Sequence, residues 1–136
     1  FQTFEKNGVT IILDVAHNVQ AVNLLKKRLQ SRVLASNAKR VAVFNMLLDK
    51  DIDAVLGELH TVFDVWFLGE LETPRALSSE IIAQKLQALG QQKVSCSKNI
   101  RQAFARALSI CQPGDEIVAL GSFYVVAEML TKLEKL

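Results

Sequence analysis

With only two cysteines in 136 residues, this chain has no disulfide framework to build on. Cys96 and Cys111 both fall in segments that read as buried, so reduced core thiols, and with them a cytoplasmic protein, are expected. No apolar stretch approaches the roughly 20 residues that a membrane helix needs, and no signal-peptide pattern opens the chain. Neither sign of charge dominates. Sixteen Lys and Arg face fourteen Asp and Glu, for a net charge of +2, and no basic run offers a nucleic-acid surface. Two phosphate-binding signatures are missing as well, the G-x-x-x-x-G-K-[ST] loop and the G-x-G-x-x-G fingerprint. If this chain touches a nucleotide, it does so as an accessory wall rather than as the phosphate cradle.

What is present is ordinary for a soluble globular domain. Half of the residues are hydrophobic and 22% are charged, in a length that can bury a core of its own. Apolar runs rich in Val and Ile, at Val9 to Asp14, Arg40 to Phe44, Val65 to Leu68 and Glu116 to Leu120, read as strands covered on both faces; Val94 to Cys96 reads as a weaker one. Between them, apolar residues recur at helical spacing. Val22, Leu25 and Leu29 mark the first helix, Ile52, Val55, Leu56 and Leu59 the second, and Ile82, Leu86 and Leu89 the third. Ile100, Phe104, Ala107, Leu108 and Cys111 mark the fourth, and Val126, Met129, Leu130 and Leu133 the last. Asn7-Gly8 between two apolar runs signals a hairpin, which makes the first strand a short antiparallel edge. Alternation of strands with helices predicts an α/β fold: a Rossmann-like, mainly parallel sheet of about six strands with one antiparallel edge strand and helices on both faces. No internal repeat or linker divides residues 1–136, so one domain is expected. The chain opens on Phe1 rather than Met, as a piece of something longer would.

The apolar run at Val9 stops at Asp14, His17 and Asn18, on the edge of the sheet where α/β folds bind ligands. Asp14 is placed to take the hydroxyls of a ribose, and His17, near a helix start, to meet an anion; the plainer alternative is that Asp14 and Asn18 cap the helix. In Asp49-Lys50-Asp51, Lys50 is either a point charge for a carboxylate or phosphate or part of a charged helix start. Arg75 either reaches over the cleft or stays on the surface of its loop. A metal site would need a third ligand, and His60 reads as a solvated position on the second helix. Gly121-Ser122 is a poor nucleophile elbow, because Leu120 and Tyr124 stand where that motif needs glycine. Ser122 reads better as a binding hydroxyl beside free helix-start amides.

Four stretches in register, Asp14-Val15-Ala16-His17-Asn18, Met46-Leu47 with Asp49-Lys50-Asp51-Ile52, Leu71-Glu72 with Pro74-Arg75, and Gly121-Ser122-Phe123, resemble the C-terminal domain of bacterial dihydrofolate synthase/folylpolyglutamate synthase, a relative of the Mur ligases. The resemblance implies a two-domain, ATP-dependent ligase. It phosphorylates the carboxylate of dihydropteroate or a folate and joins L-glutamate to the acyl phosphate. It further implies that an N-terminal domain absent from this chain carries the phosphate loop, the Mg2+ ligands and most of the chemistry. Under the resemblance, Asp14 contacts the ATP nucleoside, and His17, Lys50 and Ser122 serve the glutamate side. The enzyme would be a cytoplasmic monomer, without nucleic-acid or membrane partners. A free-standing nucleotide- or anion-binding module is the alternative. Three positions depart from the family pattern: Val19 for Pro, Asn45 for Gly, which would narrow the cleft, and Tyr124 for His. The family's Gly-Arg, whose arginine reaches the ATP phosphates, would precede Phe1. The 136 residues alone are therefore expected to have no ligase activity and at best weak affinity for ATP.

Overall fold

The structure, a computed structural model, describes residues 1–134. Strands β1 (Gln2–Lys6) and β2 (Val9–Leu13) form the expected hairpin, antiparallel with Lys6 opposite Val9. Asn7 and Gly8 between them both take positive φ, 54° and 79°, the condition for a tight hairpin turn. The chain continues through α1 (Val19–Gln30), β3 (Arg40–Phe44), α2 (Ile52–Leu59), β4 (Val65–Gly69), α3 (Ser79–Ala88), β5 (Val94–Ser97), α4 (Ile100–Ile110), β6 (Glu116–Leu120) and α5 (Phe123–Glu134). The six strands lie in the order β1-β2-β6-β3-β4-β5. All neighbours except β1 and β2 are parallel, which is the predicted architecture.

Strand residues alternate between two cores, as a pleated strand requires. Ile12, Ala42, Phe44, Trp66, Leu68, Val118 and Leu120 face α1, α2 and α3, while Ile11, Leu13, Val41, Val43, Phe67, Ile117 and Ala119 face α4 and α5. Asn18, Asp51, Ser78 and Asn99 each cap the helix that follows, their side chains accepting from the backbone N–H three positions on, which satisfies a donor otherwise orphaned.

Several expectations need correction. Cys96 is exposed and Cys111 half-buried rather than both being core residues. Cys96 lies on β5, a four-residue strand at the edge of the sheet, where cover is thinnest. Burial and the nearby Asp115 carboxylate push the Cys111 thiol up to about 11. Leu89 is exposed because α3 has ended at Ala88 and the chain turns away. His60 is half-buried rather than solvated, its Nδ1 against the carbonyls of Leu56 and Gly57 at 3.1 and 3.0 Å. Val125, absent from the predicted inward face of α5, is fully buried.

At the amino edge of the sheet, where β3 and β6 begin, charges are buried in pairs. Glu116, with no exposed surface, takes Arg32 Nε at 2.5 Å and Arg40 Nε at 2.6 Å. Arg40 also donates through Nη2 to the Leu29 carbonyl at 2.8 Å. Beside it, Asp115 accepts from Lys39 Nζ at 2.6 Å, from Lys39 N at 2.9 Å and from Gln112 N at 2.8 Å. Burial works against the charge on Asp115, but these hydrogen bonds outweigh it and hold its carboxyl below the usual range. The same carboxylate raises Lys39, chiefly through their hydrogen bond.

Candidate functional site

The strand order sets a topological switch on both sides of β6. The helix that follows β6, α5, packs on one face of the sheet, whereas α1 and α2, which follow its neighbours β2 and β3, pack on the other. Loops leaving adjacent strands toward opposite faces open a crevice at the carboxyl ends. A cavity of about 280 Å³ lies there. Val15 and His17 line it after β2, Leu47 and Lys50 after β3, and Gly121 through Tyr124 after β6.

His17, Lys50 and Ser122, which lie far apart in the chain, therefore share one cavity. Among the described residues no acidic side chain lines it. The Nδ1 of His17 stands 2.9 Å from the Val15 carbonyl; a carbonyl only accepts, so Nδ1 carries the hydrogen and Nε2 is left for a ligand. Among the described residues the one anion near Lys50 Nζ is Asp49, at 3.9 Å and itself shared with Arg75 at 3.7 Å. That spacing leaves the ammonium donors free. Ser122 is almost fully buried, and its Oγ accepts from Val125 N at 3.2 Å, so it caps α5. Its hydroxyl proton and the first amides of α5 remain available to an anion.

Asp14 stands apart. It does not line the cavity. Its Oδ1 accepts from Ala16 N at 2.8 Å, and its Oδ2 lies 3.4 Å from the Phe1 main-chain nitrogen. Asn18 is a cap, accepting from Ala21 N. Arg75 is exposed, and its guanidinium lies 3.7 Å from Asp49. Among the described residues no group of three His, Cys, Asp or Glu side chains gathers to hold a metal ion, and no helix is long and apolar enough to cross a membrane.

Gly121 is fixed by its surroundings. Its φ is 114°, and a Cβ there would run into the carbonyl oxygen of Asn45. Asn45 itself is a correction: it does not narrow the cleft, because its side chain is fully buried and turned toward β4, where Nδ2 donates to the Gly69 carbonyl at 2.6 Å. Sequence reasoning did not single out the apolar walls Val15, Leu47 and Phe123, and noted Tyr124 only as a departure from the family pattern. Phe123 is 74% exposed on the first turn of α5, which is unusual for so large an apolar side chain. Its place directly after Gly121-Ser122 was the available signal.

Compared with known families, residues 1–123 match the model of the Mur ligase, glutamate ligase domain. The chain belongs to this family. Among relatives of this glutamate ligase domain, the dihydrofolate synthase/folylpolyglutamate synthase of Escherichia coli K12 is 36% identical over 91% of the chain and 28% of its own length. That of Haemophilus influenzae is 31% identical over 92% and 29%. Among solved structures, E. coli FolC in complex with DHPP and ADP superposes with a TM-score of 0.88 at 30% identity, over 99% of this chain and 31% of that one. A bifunctional folylpolyglutamate synthase/dihydrofolate synthase with Mn, AMPPNP and L-glutamate bound gives 0.87 at 31%, over 98% and 31%. The glutamate ligase domain described here thus spans less than a third of the length of these relatives.

Proposed function

We propose that this chain is the nucleoside- and glutamate-contacting domain of an ATP-dependent, cytoplasmic, monomeric ligase that adds L-glutamate to dihydropteroate or a folate. The observation that carries this reading is the acid-free cavity at the switch point. It brings one lysine ammonium, one imidazole and one helix start together between apolar walls. Glutamate brings two carboxylates on a short aliphatic body, and those groups are its chemical complement. The relatives named above are synthases of this kind, and one was solved with L-glutamate and AMPPNP together.

ATP supplies the phosphoryl group that turns the substrate carboxylate into an acyl phosphate. The amine of glutamate attacks the acyl carbon, phosphate leaves, and the nitrogen gives up its proton as the amide forms. The residues of this chain serve that step by orientation. Lys50 draws a glutamate carboxylate into the cavity, the Ser122 turn presents amide donors to it, and His17 Nε2 offers an acceptor near the incoming amine. Val15, Leu47 and Phe123 keep water off the reacting carbon. Asp14 lies outside the cavity, where its carboxylate can meet the ribose. The phosphate contacts and the Mg2+ ligands belong to the further domain that the relatives' length implies.

The test is Asp14→Ala and Lys50→Ala in the full-length enzyme. Each is expected to lower glutamate ligation at least about tenfold, some 1.4 kcal/mol of transition-state stabilisation. If neither does, the site assignment is wrong. The 136 residues by themselves are expected to show no ligase activity.

A further inference from the structure

Asn45 is the first residue past the end of β3. The ladders on either side of that strand finish with Phe44 opposite Leu120 of β6 and opposite Leu68 of β4. Beyond that last rung, Asn45 is bonded to β4 and packs directly against the residue that follows β6. Toward β6 its carbonyl oxygen lies against Gly121 so closely that a side chain there would collide with it. Toward β4 its Nδ2 donates to Gly69 O at 2.6 Å, while its Oδ1 accepts from Met46 N. The tie continues outward, where Leu77 N donates to Met46 O at 2.9 Å and Leu48 N to Arg75 O at 2.6 Å. Lys50 follows at once, its own N–H bonded to Leu47 O at 3.2 Å.

We infer that Asn45 is a positioning residue for the amino-acid substrate. By tying the start of the Lys50 loop to β4 while its carbonyl packs against Gly121, it fixes the Lys50 loop against the Ser122 turn, and so sets affinity for glutamate rather than for the nucleotide. The inference rests on the reading of Lys50 and Ser122 as the glutamate site. Asn45 lies below the cavity and does not line it, so it touches no ligand and acts only through the groups it places. Its amide is neutral at every working pH, which leaves geometry as its means of action. Groups that hold a substrate need placement within roughly half an ångström, and a displacement of about 1 Å can cost on the order of a hundredfold. Cutting the amide away unfastens β4 and the Met46 amide from the one residue that also meets Gly121.

The experiment is a double-mutant cycle in the full-length enzyme, with KM for glutamate and KM for ATP measured separately for Asn45→Ala, Lys50→Ala and the pair. Asn45→Ala is expected to raise KM for glutamate about fivefold or more and to leave KM for ATP within about twofold. In the Lys50→Ala background the same change should move KM for glutamate less than about twofold, because the group it positions has gone. Each protein is assayed well below its own melting temperature. If Asn45→Ala does not accumulate folded, Asn45→Ser takes its place, retaining an acceptor for Met46 N while falling short of Gly69. A parallel rise in both KM values, a loss confined to kcat, effects that multiply in the double variant, or an unchanged KM for glutamate would each overturn the inference. If Lys50→Ala alone leaves KM for glutamate unchanged, the glutamate reading itself fails, and that outcome is separate from the others.

Discussion

Glu116 is sealed between Arg32 and Arg40 at contacts of 2.5 and 2.6 Å, whereas Lys50, at the opposite edge of the same sheet, stands 3.9 Å from its nearest carboxylate. At the amino edge, Lys39 and Asp115 are also closed on each other, so those charges stitch the starts of β3 and β6 together. At the carboxyl edge Lys50 and His17 keep donor or acceptor capacity unused, set among exposed apolar side chains such as Val15 and Phe123. Buried charges cost several kcal/mol each unless they are paired. One edge therefore carries stability and the other the proposed recognition, and substitutions should separate the two.

The largest loss of stability is expected at the amino edge. Glu116→Ala leaves the mostly buried Arg40 guanidinium without its counter-charge. Breaking such a pair from one side costs about 3–5 kcal/mol, and the more exposed Arg32 places this case at the lower end. Urea unfolding of the variant measures the loss; a cost below about 1 kcal/mol would mean that the amino edge does not carry the stability assigned to it. Next comes Gly121→Ala, the carboxyl-edge position where geometry rather than charge is fixed. A side chain at a φ of 114° costs roughly 1–3 kcal/mol, and here it also meets the Asn45 carbonyl. Both stability and glutamate affinity should fall together in this variant, whereas Glu116→Ala should lower stability alone when assayed below its melting temperature.

A pH titration sharpens the same contrast. The Asp115 carboxyl is held below its usual value, so the stability it contributes is fully present above the ordinary value of 3.8 and is lost as pH falls through the lower, folded value. Lys39 is raised above 10.5, so its contribution is complete below 10.5 and is lost as pH climbs through the higher, folded value. The pair should therefore support the fold evenly across the neutral range. In acid, its loss adds at most about 1.4 kcal/mol per pH unit to the slope. Asp115→Asn should flatten that acid limb in denaturant melts carried below pH 3.8, the side to which the carboxyl is shifted. An unchanged acid limb would place the titrating group elsewhere.

Much of this contrast was legible in the sequence, and the part that was not has a physical reason. The limits of β3 and β6 follow from apolar runs bounded by charge and turn residues, and strand-to-helix alternation places Asp14, Lys50 and Ser122 on one edge. The six-strand, mainly parallel sheet with its antiparallel edge follows from the same alternation. The cluster at the other edge left no local sign. Glu116 lies 84 positions from Arg32 and 76 from Arg40, and a periodicity scan reads Arg40 and Glu116 only as polar strand starts. Asn45 misled for a related cause. Standing where the family pattern has Gly, it suggests a side chain that narrows the cleft, but the neighbouring Gly69 carbonyl, 24 positions on, draws it inward. Tertiary hydrogen bonds of that span have no sequence signature. Ser122 shows both sides: its loop was placed correctly, while its bond to Val125 N makes it a cap as well as a candidate contact.

The smallest expected effect on stability is the most informative for the comparison. Among the described residues Lys50 has no hydrogen-bonded ion pair, and its 3.9 Å separation from Asp49 is that of a loose, largely solvated contact, worth between nothing and about 1 kcal/mol. Asp49 would retain Arg75 after the lysine is gone, and Asp51, not Lys50, caps α2. Lys50→Ala should accordingly change unfolding free energy by less than about 0.5 kcal/mol, while glutamate ligation in the full-length enzyme drops at least about tenfold. A side chain kept for binding shows that signature, since its charge is satisfied by the ligand and not by the fold. If thermal and urea unfolding instead placed Lys50→Ala beside Glu116→Ala, the ammonium would be a structural cation like Arg40, and the functional asymmetry between the two edges would be lost.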